Sequence, residues 1–311
     1  MPQSRSRSWR ALYPFKFHWL DTDAGRMHFL DERPPADRPV AGTLLFVHGN
    51  PTWSFHWRKL IDALRSRFRC VAVDHVGCGL SDIAPRTLRL KDRIKHLEAL
   101  VDHLRLQRVA LVAQDWGGAI GLGLLTQRPE LADRILLFNT GAFPPPSVPW
   151  RIRACRLPLV GRIAVQGLNV FSRAALRMTM NRRRLEPAVA AGYLAPYASW
   201  KARRSVYDFV DDIPTATHQE TWQLLADIES RLAMLANRPA ALVWGMRDWC
   251  FTPDCLEPFI AAWPQAQVHR LDDVGHWVVE DAPEETLRLA TQFLDADADA
   301  LFTEKVEVAA K

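Results

Sequence analysis

Six short apolar runs punctuate this chain: LLFV at 44–47, CVAVD at 70–74, VALVA at 109–113, ILLFN at 135–139, ALVW at 241–244 and VHRLD at 268–272. They are too short for buried helices and rich in branched side chains, which makes them strands covered on both faces. Parallel strands cannot be joined by a tight turn, and the stretches between the runs carry apolar residues at helical spacing, so the chain reads as repeated βα units. Residues 16–32, turned at DTDAGR, predict an antiparallel hairpin instead. The expectation is an α/β protein with a mostly parallel central sheet and helices on both faces. A composition of 48% hydrophobic and 24% charged residues is ordinary for a globular core of this length.

The regular pattern breaks once. From ILLFN to ALVW about a hundred residues pass without a strand signal but with helical spacing and three prolines at 144–146, too long for a plain loop in a compact domain. An inserted helical cap over 142–215 is expected, with the core formed by 1–141 and 216–295. A cap over the carboxyl ends of parallel strands encloses the place where such sheets bind ligands. Beyond Asp295 the apolar pattern is lost, and 296–311 reads as a mobile tail.

The strand VALVA runs straight into Gln114-Asp115-Trp116-Gly117-Gly118 and then into the apolar helix AIGLGLLTQ. Strand, sharp turn and helix, with small residues (Ala113, Gly117) two positions either side of Asp115, resemble the nucleophile elbow of the α/β-hydrolase fold. An aspartate there attacks as a carboxylate, needs no base to activate it, and forms an ester with carbon. The competing reading is that Asp115 merely caps the helix.

Downstream of the first long strand lies His48-Gly49-Asn50-Pro51-Thr52-Trp53. In the resembled fold, a backbone N–H from this loop and one from the residue after the nucleophile face a developing negative charge. Asn50 and Trp116 hold those places, and each adds a side-chain N–H donor, so together they suit a departing halide or carboxylate. Taken alone, a loop asparagine is an ordinary turn residue. His276, in Asp272-Asp273-Val274-Gly275-His276-Trp277, follows the last strand and suits a base acting on water. Its orienting acid is expected at Asp248, since the strand end at 139–141 reads Asn-Thr-Gly; Asp254 is the nearest substitute. The order Asp115, Asp248, His276 is that of nucleophile, acid and histidine in the resembled fold.

From the hairpin through HGNPTW, DHVGCGLSD, AQDWGGAIG, GMRD and DDVGHWVVEDAPEE, the chain resembles the haloalkane dehalogenases and their relatives. HGNPTWSFHWR and DHVGCGLSD are most similar to the cis-β-lactone decarboxylases of bacterial long-chain olefin biosynthesis. The resemblance implies a lyase giving a cis-alkene and carbon dioxide, or a hydrolase releasing halide, neither needing a metal or organic cofactor. It also implies a long-chain apolar substrate in a wide cavity under the cap, with Leu157, Leu159, Val160, Ile163, Val165, Leu168, Val170 and Phe171 as candidate lining. The implied partners are enzymes that condense acyl chains and form the lactone.

Two further readings stay open. Epoxide hydrolases share the Asp-Trp-Gly-Gly elbow and use two cap tyrosines; Tyr193, Tyr197 and Tyr207 lie in the cap, although Asn50 argues against that chemistry. A non-catalytic ligand-binding or assembly role is the other.

Charge is uneven: nine arginines and no acidic residue occur from Arg151 to Arg184. Such a run meets an acidic partner or an anionic membrane, or is simply a solvated face; no nucleic-acid motif accompanies it. Neither a secretory signal nor a run of roughly 20 apolar residues is present, which predicts a cytoplasmic protein; the arginines leave peripheral membrane contact open beside the acidic-partner and solvated-face readings. Five cysteines without paired spacing read as reduced thiols filling the core.

Overall fold

The computed structural model describes residues 9–157 and 159–295; the segment expected as a tail, 296–311, lies outside the described residues. Strands β1 (His18–Thr22), β2 (Gly25–Glu32), β3 (Thr43–Val47), β4 (Arg69–Val73), β5 (Val109–Asp115), β6 (Ala132–Thr140), β7 (Ala240–Gly245) and β8 (Gln267–Leu271) form one sheet, ordered β1-β2-β4-β3-β5-β6-β7-β8. The hairpin β1–β2 and the β2–β4 pair are antiparallel and every other pair is parallel. The six apolar runs are β3 to β8. Two of them extend past the apolar pattern, because Asp115 still pairs with Thr140 and Ala132 with Val109: pairing, not hydrophobicity, sets those ends.

Helices α1 (Arg58–Leu64), α2 (Leu90–His103) and α3 (Trp116–Gln127) precede the insertion. Within it lie α4 (Trp150–Cys155), α5 (Val160–Arg162) with a π-turn at Ile163–Gly167, α6 (Val170–Met178), α7 (Pro187–Leu194) and α8 (Arg204–Asp211). The core resumes with α9 (Glu220–Arg231), α10 (Glu257–Ala262), α11 (Val278–Asp281) and α12 (Pro283–Asp295). Side chains alternate across the sheet. Leu45, Val47, Val71, Val73, Leu111 and Ala113 pack under α2, α3 and α9, while Leu44, Phe46, Cys70, Ala72, Ala110 and Val112 pack under α1 and α12. Every residue of α3 from Gly117 to Thr126 is buried, as an all-apolar helix demands. Among the described residues no helix is long and apolar enough to cross a membrane.

The cap departs from its expected packing. Apart from Val165, its buried residues between Gly161 and Ala175 are small or polar, among them Gly161, Asn169, Ser172 and Ala175. Of the eight apolar residues expected to line the cavity, only Phe171 borders the one beside Asp115. Val165 packs with Tyr197 and Val206 inside the cap, and Leu157, Leu159, Val160, Ile163, Leu168 and Val170 face outward. At one point of the inner side the approach is too close for any side chain: a Cβ on Gly161 would lie 2.1 Å from the Cys155 carbonyl oxygen.

Candidate active site

Asp115 closes β5 at φ 54° and ψ −132°, a conformation that strains an L-residue by about 1–3 kcal/mol and persists only where the surroundings enforce it. The surroundings do. A Cβ on Gly117 would lie 2.0 Å from the Val47 carbonyl oxygen, and one on Gly49 2.1 Å from Asp115 Oδ1. The Thr140 hydroxyl donates to the Asp115 carbonyl. Asp115 makes no side-chain cap on α3; its Oδ1 accepts the Asn50 backbone N–H at 2.6 Å, and its Oδ2 lies 3.5 Å from His276 Nε2.

His276 sits on the loop between β8 and α11, stacked on Phe251. Its Nδ1 faces Asp248 Oδ2 at 2.6 Å, which puts the ring proton on Nδ1 and turns Nε2 toward Asp115. Asp248, at the end of β7, is itself held by the Cys250 N–H at 2.7 Å, while Asp254 is exposed. At the other strand end Asn139 bonds both backbone groups of Gly245 and ties β6 to β7. Burial disfavours a charged His276, but Asp248 and Asp115 outweigh it and raise the imidazole to about 10.

Asn50 has two tasks. Besides the N–H on Asp115, its side-chain Nδ2 donates to the Val206 carbonyl of α8 at 3.2 Å, leaving one amide hydrogen of that group for the cavity. The Trp116 ring packs on Phe209 of the same helix, so α8 contacts both residues expected to face a leaving anion.

Several residues that the sequence did not single out as functional support these groups. Gln114 donates to the His276 carbonyl and faces His56 Nε2; His56 Nδ1 lies 2.8 Å from the Tyr193 hydroxyl, which donates to Glu280. Glu280 is buried against Arg58, with Lys59 at 3.2 Å. Burial lowers His56 to about 3 and keeps it neutral. Asp281 accepts N–H groups from Gly275 and from Asn181, Arg182 and Arg183, joining the His276 loop to the cap. A charged pair inside an apolar segment, VVEDA, was the available signal. The DHVGCGLSD stretch has a structural place: buried Asp74 receives the N–H groups of Ser54 and Leu80 and pairs with His28, locking the Asn50 loop to the hairpin.

The cavity beside Asp115 is bounded by Asn50, Trp116, Phe143, the 145–149 loop, Ile152, Phe171, Val210, Ile213 and Phe251. Among the described residues Asp115 is its one charged group and no tyrosine lines it. Tyr193 is turned to Glu280, Tyr197 donates to the Thr52 carbonyl, and Tyr207 packs on the cap cluster. All five cysteines are free; Cys70, Cys78 and Cys255 fill the core, and Cys255 also borders the cavity together with Cys250.

Residues 42–283 match a protein family described as alpha/beta hydrolase fold. The chain belongs to the α/β-hydrolase family. The sequence of this α/β-hydrolase is 37% identical to a cis-3-alkyl-4-alkyloxetan-2-one decarboxylase of Shewanella oneidensis, covering 91% of this chain and 89% of the relative. A second decarboxylase of that description, from Xanthomonas campestris, is also 37% identical, covering 91% and 97%. Haloalkane dehalogenase 2 of Mycobacterium tuberculosis is 34% identical over 88% of this chain and 93% of its own. Among solved structures, a haloalkane dehalogenase from Bradyrhizobium elkani superimposes with a TM-score of 0.82 at 26% identity, covering 92% and 99%.

Proposed function

We propose that this α/β-hydrolase decarboxylates a cis-β-lactone bearing long alkyl chains to a cis-alkene and carbon dioxide, with Asp115 as nucleophile. The observation that carries the reading is a carboxylate, the one charged lining group among the described residues, at the end of an apolar cavity. The decarboxylase relatives supply the substrate class.

In the proposed route Asp115 displaces the ring oxygen from its carbon with inversion. The C–O bond breaks, and the freed carboxylate is held by the Asn50 amide and Trp116. Loss of carbon dioxide anti to the Asp115 ester then moves the C–C bond pair into the alkene and returns the Asp115 carboxylate. One inversion and one anti elimination preserve the cis geometry. A cationic His276, held by Asp248, stabilises Asp115 as it leaves and need not act on water. Enzymes that condense acyl chains and close the lactone would supply the substrate, and the reading includes them as partners.

Haloalkane hydrolysis is the second reading, favoured by the 34% identical relative. It shares every group, but there His276 must lose its proton to activate water. Ester formation removes the Asp115 charge, one cause of the raised imidazole, and makes that loss easier. Epoxide opening lacks its tyrosines at the cavity.

The test is incubation of the wild type and Asp115→Ala with a synthetic long-chain cis-β-lactone, detecting alkene and carbon dioxide by gas chromatography. The expected result is cis-alkene from the wild type and none from the variant. β-Hydroxy acid as the product would transfer the assignment to a hydrolase.

A further inference from the structure

The cap from α4 to α6 is amphipathic inside out. Its buried residues are largely small or polar apart from Ile152 and Val165, while Trp150, Leu157, Leu159, Val160, Ile163 and Leu168 are between 46% and 72% exposed. Soluble proteins rarely present large apolar residues in such density without a partner surface. Between them stand exposed Arg151, Arg153, Arg162, Arg173 and Arg177, and no acidic residue occurs from 151 to 184. Among the described residues none of these five meets a carboxylate; Arg151 lies over Trp150 and Trp249, and Arg162 over Trp200 and against Gln166. Arg182 and Arg183 differ, being paired with Asp273, Glu285 and Glu284. Apart from exposed Arg184, the unpaired charge of the run is thus on the face that carries the apolar residues.

That face is one helix away from the cavity. On α4, Ile152 lines the cavity while its neighbours Arg151 and Arg153 point to solvent; on α6, Phe171 lines it while Val170 and Arg173 point out. We propose that the outer face of α4 to α6 docks on an anionic lipid membrane, seating its apolar residues among the headgroups so that alkyl chains pass between bilayer and cavity. Apolar residues interleaved with cations are what an interfacial helix needs, and anionic lipid complements a surface of cations without acids. A protein partner would have to match both an apolar and a uniformly acidic surface at once. The passage of alkyl chains rests on the decarboxylase reading; docking itself does not.

The full-length chain is mixed with vesicles of phosphatidylglycerol and phosphatidylcholine, or of phosphatidylcholine alone, and sedimented. The wild type is expected to sediment with the anionic vesicles and to release as salt rises. Each arginine near the surface contributes about fivefold to partitioning. Arg153→Glu/Arg173→Glu is therefore expected to lower partitioning by at least about 25-fold, and Ile163→Ser/Leu168→Ser to lower it as well. Both variants keep wild-type turnover of a short, water-soluble β-lactone without vesicles, which shows that they fold. A wild type that stays in the supernatant at low salt, or variants that bind as the wild type does, would overturn the proposal. So would lipid-free self-association, or capture of a protein partner, abolished by the same substitutions while vesicle binding persists. Vesicle binding without lactone turnover would leave docking standing and sink the decarboxylase reading instead.

Discussion

His276 is buried between two carboxylates, and its charge is the feature of the site most open to titration. An ordinary imidazole titrates near 6.5; here burial opposes the charge, Asp248 and Asp115 overcome it, and the value rises to about 10. Between those two pH values the folded chain holds a proton that the unfolded chain releases. The stabilisation is therefore complete below about 6.5 and lost as pH rises through about 10. Asp248→Asn removes the strongest of the raising influences. Denaturant titrations from pH 6 to 10 should show wild-type stability falling by an amount on the order of a few kcal/mol more than that of the variant; parallel profiles would mean that Asp248 does not hold the charge. That Asp115, Asp248 and His276 come together was legible because a strand–turn–helix elbow constrains local sequence and because they follow strand ends in a set order. The double task of Asn50 was not, since its bond to Val206 joins residues 50 and 206, which only the closed cap brings together.

Among the elements, the support behind His276 shows how far a short segment depends on remote ones. Gln114 lies on β5, His56 just before α1, Tyr193 on α7 and Glu280 on α11, and the string ends on the His276 carbonyl. Its anchor is the buried Arg58–Glu280 pair, 4% and 2% exposed. Removing one member of a buried pair costs about 3–5 kcal/mol where the other is stranded; here Lys59, 3.2 Å from Glu280, makes that an upper bound. Arg58→Met should destabilise the fold within that bound, and adding Glu280→Gln should restore part of it; equilibrium unfolding of the single and double variants measures both. If the single variant unfolds as the wild type does, the anchor role is wrong. Strand positions were readable from apolar runs. The ends of β5 and β6 were not, because they depend on which backbone groups find partners across the sheet.

For the molecule as a whole, Asp281 joins core and cap. It is 0% exposed and accepts N–H groups from Gly275 at 2.7 Å and from the 181–183 segment at 2.9 to 3.1 Å. Asp281→Ala should speed amide exchange at 181–183 and at 275 together, read by hydrogen-exchange mass spectrometry; loosening of one segment alone would show that the two are held separately. The amino-acid sequence by itself determined the βα order, the mostly parallel sheet, the helical stretch between β6 and β7 and the sharp turn at Asp115, because strand period and turn chemistry are local properties. Only the tertiary structure decided which cap residues face inward. Helical spacing reports that a stripe exists, but whether its apolar side meets core or solvent depends on which surface the helix is laid against, as outward-facing Leu159, Val160 and Leu168 show.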